Sequence, residues 1–318
     1  MTDNNAACIE LANRITAETI SIDQSEPDEL RRLRTGQIES RAGSNDRYFM
    51  TIDFANGMLR DLACYTLYPL VRMARSGDVS PEHLRLSFAE FVPIYTGFLG
   101  YVGLRTLEGF VRDAKIVIET AEVDGIAQVL SALCRYANRL NAWAHHYFPW
   151  NIGDDAYRFE TPTPVQPMTD AGVLSVADAK DLITLTWEPL GISIRAELAS
   201  DRNPDLCADF KKIAPFTVLQ DHAMISGQSM YAWTPMLSTS PVQFRETIRD
   251  APKGRLRFSQ YTGQKIIMQY GGTTEDLESP VLGQVVFEDL HLIEAVGNAV
   301  WKSNYESKDL IWLTISLA

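Results

Sequence analysis

The sequence predicts an α+β protein with an N-terminal helical bundle over residues 1–159 and a closed antiparallel β-barrel capped by helices over residues 178–318. Three observations predict it. Apolar residues recur at three- and four-residue spacings through the first half, the period of a helix face. In the second half, short stretches alternate apolar with polar residues between turn signals, the period of a strand. Between them, ETPTPVQPMTD at residues 160–170 holds three prolines in eleven residues and suits an extended linker, taken as residues 160–177.

Among the helices, Ser80 with Pro81 behind it in SPEH is a start signal, hydroxyl cap followed by proline in the first turn. Pro69 and Pro93 should kink or end their helices, because proline lacks the amide that the ladder needs. The last helix starts after Asp124 as its cap, with Ile126, Val129, Leu130, Leu133, Ala137, Leu140, Ala144 and Tyr147 along one face. Beyond the linker, Leu182–Trp187 and Ile192–Leu198 flank a Pro-Leu-Gly turn as a hairpin. A short helix covers residues 203–213, and GRLRF with QKIIMQY around the turn YTG forms a second hairpin. A final helix spans Phe287–Ser303, with Leu290, Ile293, Val296, Gly297 and Val300 on one side, and Glu288, Asp289 and His291 are expected to cap it. The chain closes on the strand LIWLTISL. Hairpin, helix, strands, helix and terminal strand in this order suit a closed antiparallel barrel.

Composition narrows the function. With 29 basic against 41 acidic residues the net charge is −12, and each side of Glu160 carries −6, so no basic domain is hidden and nucleic acid is not an expected partner. The longest uncharged apolar run, Phe91–Leu104, has 14 residues, short of the roughly 20 that span a bilayer. The N-terminus lacks a basic start followed by an apolar core, so no secretory signal and no membrane contact are expected. Cys8, Cys64, Cys134 and Cys207 lie far apart without zinc-ligand spacing, which fits a reduced, cytoplasmic protein with no metal site. No G-x-G-x-x-G or phosphate-binding loop occurs, and no cofactor is expected.

Four segments of the second half resemble cyclophilin-like domains: LGISIRAELASDRNPDLCADFKKIAP their opening, DHAMISGQSMY their histidine strand, GRLRF their central strand and QVVFEDLHLIEAV the entry to their second helix. A helical domain joined to such a barrel resembles the cucumopine synthase family. That resemblance implies a cyclophilin-like barrel and a cofactor-independent Pictet–Spengler cyclisation of L-histidine with 2-oxoglutarate to the opine cucumopine. Prolyl isomerases carry an arginine after the strand histidine, where this sequence has Ala223 after His222; their later glutamine aligns with Tyr231, and their pocket histidine with Gln284. The missing cation argues against isomerase activity and for a barrel reused with new side chains. A noncatalytic cyclophilin-like binding module and a residual prolyl isomerase stay open as alternatives.

The proposed chemistry needs an acid, a base and donors for substrate carboxylates. His222 is a candidate acid or base because an ordinary imidazole titrates near 6.5, the competing reading being a histidine bonded to backbone. Tyr231, placed toward the pocket by the alignment, is a candidate proton donor or an ordinary barrel tyrosine. Lys265, Ile267 and Gln269 alternate and share a face; Lys265 is the first choice for proton transfer or carboxylate pairing, against a solvated lysine beside a turn, and Gln269 for substrate binding. Arg257 on the neighbouring strand suits bidentate carboxylate binding, and Gln284 suits hydrogen bonding to substrate. In WAHHYFPWNIG, residues 143–153, His146 and Trp150 are candidates to close the pocket, against an aromatic plug. His145 and His146 point apart on a helix, which disfavours a two-histidine metal site.

Overall fold

The computed structural model describes residues 5–38, 51–148 and 172–318. Trp150 and most of the predicted linker lie outside the described residues. The chain divides into two compact units, helices up to Phe148 and the strands and helices of the second half.

In the helical unit, α1 (Ala6–Ser21), α2 (Asp28–Arg34), α3 (Ile52–Arg60), α4 (Tyr68–Ser76), α5 (Pro81–Tyr101), α6 (Arg105–Val117) and α7 (Val123–Tyr147) follow in order. Ser80 caps α5 as expected, its hydroxyl accepting from the His83 amide at 3.4 Å. Of the two outcomes expected at the prolines, a helix end occurs at neither. α5 continues through Pro93 with Phe88, Val92, Thr96 and Leu99 buried on one face, so the packing of that face outweighs the one missing hydrogen bond. Pro69 does not end its helix either, because the preceding Asp61–Leu67 is wound as a π-helix that joins α3 to α4, a wider turn that relieves the clash between a proline ring and the preceding carbonyl. The last helix starts at Val123 without a cap from Asp124; the Glu122 amide donates instead to Asn5 Oδ1 at 3.1 Å.

The predicted face of α7 is buried, but so are Ala132, Cys134, Asn138, Arg139 and Asn141 on its other sides. α7 is therefore the central helix, surrounded rather than one-sided. Two of its polar residues have charged or polar neighbours: Arg139 forms an ion pair with Asp23 at 2.9 Å, and Asn141 donates to the Asn56 carbonyl and side chain at 3.1 and 3.0 Å, as buried polar groups favour.

The second unit contains β1 (Leu182–Trp187), β2 (Ile192–Leu198), α8 (Pro204–Ile213), β3 (Phe216–Leu219), β4 (Asp221–His222), β5 (Ser229–Trp233), β6 (Arg245–Thr247), β7 (Arg255–Ser259), β8 (Lys265–Gln269), β9 (Glu278–Val285), α9 (Ile293–Lys302) and β10 (Trp312–Leu317). Every strand pairing is antiparallel. The path runs β3-β10-β1-β2-β9-β7-β8-β5-β4, with β6 on β9. Since β3 and β4 are the two halves of one extended stretch broken only at Gln220, the path comes back on itself and the barrel is nearly closed.

Both predicted hairpins form; the first turns through Gly191 at φ +63°, a conformation open to glycine. Gly283 brings β9 against β2, since a Cβ there would lie 2.4 Å from the Glu197 carbonyl oxygen. The interior is filled by alternate residues, among them Ile194, Met230, Phe258, Met268 and Leu282, and by Ile293, Val296 and Val300 of α9. Asp289 and Glu288 do not cap that last helix as expected. Asp289 takes a two-pronged bond from Arg195 at 2.9 and 2.8 Å, and Glu288 accepts from Ser175 and the Val176 amide. The cysteines at 8, 64, 134 and 207 are buried and form no disulfide, and no helix among the described residues is long and apolar enough to cross a membrane.

Candidate functional site

Three adjacent strands, β5, β8 and β7, carry most of the predicted site residues. Tyr231 lies opposite Ile267, and Ile267 opposite Arg257, so one row crosses all three strands. With strands about 4.8 Å apart, the two end residues stand about 10 Å from each other at their Cα atoms. The next row holds Trp233, Lys265 and Ser259, and on the other side Ser229 pairs with Gln269. The intervening residues Met230, Ala232, Ile266, Met268, Leu256 and Phe258 belong to the barrel core. Period-two alternation therefore sends Tyr231, Lys265, Gln269 and Arg257 to the opposite, outward face.

Much of that face is buried, with Lys265 and Ile267 half-buried. Arg257 is 1% exposed, Tyr231 9% and Gln269 0%. Among the described residues the Arg257 guanidinium has no hydrogen-bond partner at Nε or Nη1. Burial pulls its pKa down to about 10, opposed only in part by Glu246 and Glu275. Glu246 is itself engaged by Arg255 at 2.6 Å. Gln269 donates through Nε2 to the Gly271 carbonyl at 3.3 Å, and its Oε1 is also without a partner. A buried cation and a buried acceptor left open on one face are costly to hold, and together they offer a carboxylate two donors and a substrate N–H an acceptor.

Lys265 supplies a second cation. Its Nζ lies 4.3 Å from the centre of the Tyr231 ring and 4.8 Å from that of Trp233, within cation–π range. The two rings meet edge to face at 5.3 Å. Burial pushes the Tyr231 phenol well above its usual range, and the nearby charge of Asp221 raises it further. This hydroxyl therefore stays protonated at neutral pH and can act as a donor, not a base.

His222 is placed elsewhere, which corrects the expectation that it joins Tyr231 and Lys265. In the β4–β5 register His222 opposes Met230, a core residue, while Asp221 opposes Tyr231. Both ring nitrogens are committed: Nδ1–H donates to the Ala223 carbonyl at 2.7 Å, and Nε2 accepts from the Tyr270 hydroxyl at 2.8 Å. Tyr270 packs flat on Gly297 of α9, where a Cβ would lie 2.5 Å from the ring. Burial lowers the His222 pKa to about 4, so the imidazole is neutral in the fold.

A testable consequence follows from linkage. The unfolded histidine binds a proton near pH 6.5 and the folded one near 4, so stability is complete above 6.5 and falls as pH drops through this window, by up to about 3 kcal/mol. His222→Gln is expected to flatten that acid limb in urea unfolding followed from pH 7 to 4.5. An unchanged pH dependence in the variant removes His222 as its source.

Gln284 is not gathered with the row either. It lies opposite Arg255 and Glu197, beyond the irregularity between Leu256 and Arg257, and its amide donates to the Lys253 and Val285 carbonyls at 2.7 and 3.1 Å. It lines a separate cleft of about 530 Å³ with Lys180, Glu197, Ser200 and Arg202. His146 belongs to the helical unit, fully buried in the last turn of α7 with its ring edge-on to Tyr147 at 4.9 Å. Trp150 lies outside the described residues.

Two carboxylates escaped the sequence reading. Asp221, fully buried, accepts from Asn304 Nδ2 at 2.8 Å; its signal was the single-residue step from His222, which places it on the Tyr231 face. Glu275, in the loop between β8 and β9, acts electrostatically on both Tyr231 and Arg257. Its only sequence signal is a carboxylate four residues after Gly271, which spacing alone does not single out.

A solved structure of McbB in complex with tryptophan is similar over 42% of this chain and 44% of that one, at 29% identity and a TM-score of 0.40, so less than half of that protein's length is matched. No curated protein matches the chain. Residues 8–147 match the family described as the cucumopine synthase C-terminal helical bundle domain, and in this chain the bundle precedes the barrel.

Proposed function

We propose that the protein is a Pictet–Spengler-type synthase that condenses L-histidine with 2-oxoglutarate to cucumopine without a cofactor. The observation that carries this reading is the buried guanidinium of Arg257, whose Nε and Nη1 have no hydrogen-bond partner among the described residues, in one row with Tyr231, in a chain whose residues 8–147 match the cucumopine synthase helical bundle family. The two substrates together bring three carboxylates, and a cationic, water-poor face matches them.

In this reading the histidine amine attacks the ketone, the carbinolamine loses water to an imine, and an imidazole carbon closes a six-membered ring before a proton leaves that carbon. Arg257 clamps a carboxylate through Nε and Nη1, and Lys265 anchors another beside the aromatic pair. Gln269 Oε1 accepts from a substrate N–H. Tyr231 protonates the departing hydroxyl, and Glu275 receives the ring proton. Holding both reactants in attack geometry supplies much of the acceleration.

Incubation of the protein with both substrates is expected to give a product whose mass is their sum minus one water, unaffected by added nicotinamide. Activity should fall as pH drops below about 6.5, because a protonated imidazole is a poor carbon nucleophile. No product at high enzyme concentration, or product only with nicotinamide, overturns the reading.

A further inference from the structure

The cleft of about 530 Å³ on the barrel unit is of a size that ordinarily holds a small molecule, and the chemistry above does not use it. Its wall is built from residues ahead of β1, from residues 197–202 at the end of β2 and the turn after it, from Arg255 at the start of β7 and from the end of β9. Arg257, Tyr231 and Lys265 are not in that wall.

One row across three strands runs through the cleft. Gln284 of β9 lies opposite Glu197 of β2 on one side and opposite Arg255 of β7 on the other, and directly opposed residues share a face of the sheet. Carboxylate, amide and guanidinium therefore stand in line, the two ends about 10 Å apart at their Cα atoms. Among the described residues each of the three is only half used. Glu197 accepts from the Lys180 amide through Oε1 at 3.0 Å, which leaves Oε2 open. Gln284 spends Nε2 on the Lys253 and Val285 carbonyls, and its buried Oε1 has no partner. Arg255 gives Nε to Glu246 at 2.6 Å, which leaves the donors of Nη1 and Nη2.

The rim carries both signs, with Lys180 and Arg202 exposed beside Asp178 and Asp201. A further carboxylate of the wall, Asp181, is taken by Lys211 at 2.6 Å. In such a wall a bare anion or a bare cation meets like charge, whereas a molecule with one charge of each sign can turn each toward its opposite.

We propose that this cleft binds the zwitterionic head of a free α-amino acid, with its carboxylate on the Nη donors of Arg255 and its ammonium between Glu197 Oε2 and Gln284 Oε1. A guanidinium takes a carboxylate through paired N–H donors, and an ammonium has three donors, enough for both open acceptors. The two charges of an α-amino acid sit on neighbouring carbons, a separation that neighbouring positions of one row can serve. Leu174, 47% exposed in the same wall, gives an apolar side chain a surface. The inference does not rest on the proposed synthase activity, because no residue given a role there lines the cleft.

The test uses the full chain and L-leucine, which has the amino acid head but no ring carbon for the proposed cyclisation. Calorimetry is expected to show saturable binding at one site, accompanied by a rise in Tm. N-acetyl-L-leucine lacks the ammonium and L-leucinamide the carboxylate, so each should bind at least about tenfold more weakly. Glu197→Gln keeps an acceptor for the Lys180 amide and removes the charge, and it should weaken L-leucine about tenfold or more. Ala199→Leu, at a half-buried position of the wall, should block binding by filling the cleft with every charge in place. Arg257→Met should bind L-leucine as the wild type does, which separates this cleft from the proposed synthase site. The proposal is overturned if L-leucine gives no saturable response, if either blocked analogue binds as tightly as L-leucine, if Glu197→Gln responds as the wild type does, or if Arg257→Met abolishes binding.

Discussion

Arg257→Met is expected to stabilise the ligand-free protein and at the same time to remove productive substrate binding. Methionine fills comparable space with a flexible apolar chain, whereas the native guanidinium is 1% exposed with Nε and Nη1 unpartnered among the described residues. An unsatisfied buried polar group costs about 1–3 kcal/mol, and removing it should appear as a higher urea midpoint at unchanged slope. Losing one partner of a buried charge pair should weaken carboxylate binding by roughly 2–5 kcal/mol, about thirty- to several-thousand-fold. The opposite signs make the experiment decisive. An arginine with a purely structural role would lower stability when replaced and leave KM untouched, and that outcome removes it from the site.

Tyr231→Phe is expected to reduce turnover by about 10²- to 10⁴-fold, the range for loss of a positioned general acid, with little change in KM. The substitution deletes only a hydroxyl, and the edge-to-face contact with Trp233 and the ring beneath the Lys265 ammonium remain, so stability should be nearly unchanged. Because burial holds the phenol far above neutral, the wild-type rate should show no loss from Tyr231 ionisation across the working range. Lys265→Met gives the contrast: an ammonium that pairs with a carboxylate in both ground and transition states should affect KM more than kcat. Unchanged turnover in a folded Tyr231→Phe protein would assign the proton to another donor.

Part of this site is legible in residue order alone. Lys265, Ile267 and Gln269 share a face because the strand period is two, and the hairpin turn places Arg257 on the neighbouring strand; both hold in the barrel. The apolar side of α9 and the capping of α5 by Ser80 follow in the same way from local periodicity and local hydrogen bonding. What failed was non-local. α5 runs through Pro93, and α7 is buried on its polar sides as well as its apolar face, because neighbouring helices decide both.

The division between sequence and tertiary structure is sharpest at Asp221 and His222. Composition and charge by themselves determined an acidic α+β chain with period-two strands after residue 178, and the strand alternation determined that these two neighbours point to opposite faces. Which of them faces the outward row was decided only when barrel closure set the β4–β5 register, since a shift of one residue exchanges the faces. Likewise, the sequence contains Arg257 but not its isolation. That depends on Arg255 having already taken Glu246, a contact between two successive strands that are brought side by side only because both pair with β9, and it is the charge left over among the described residues, not the arginine itself, that makes the face fit to bind an anion.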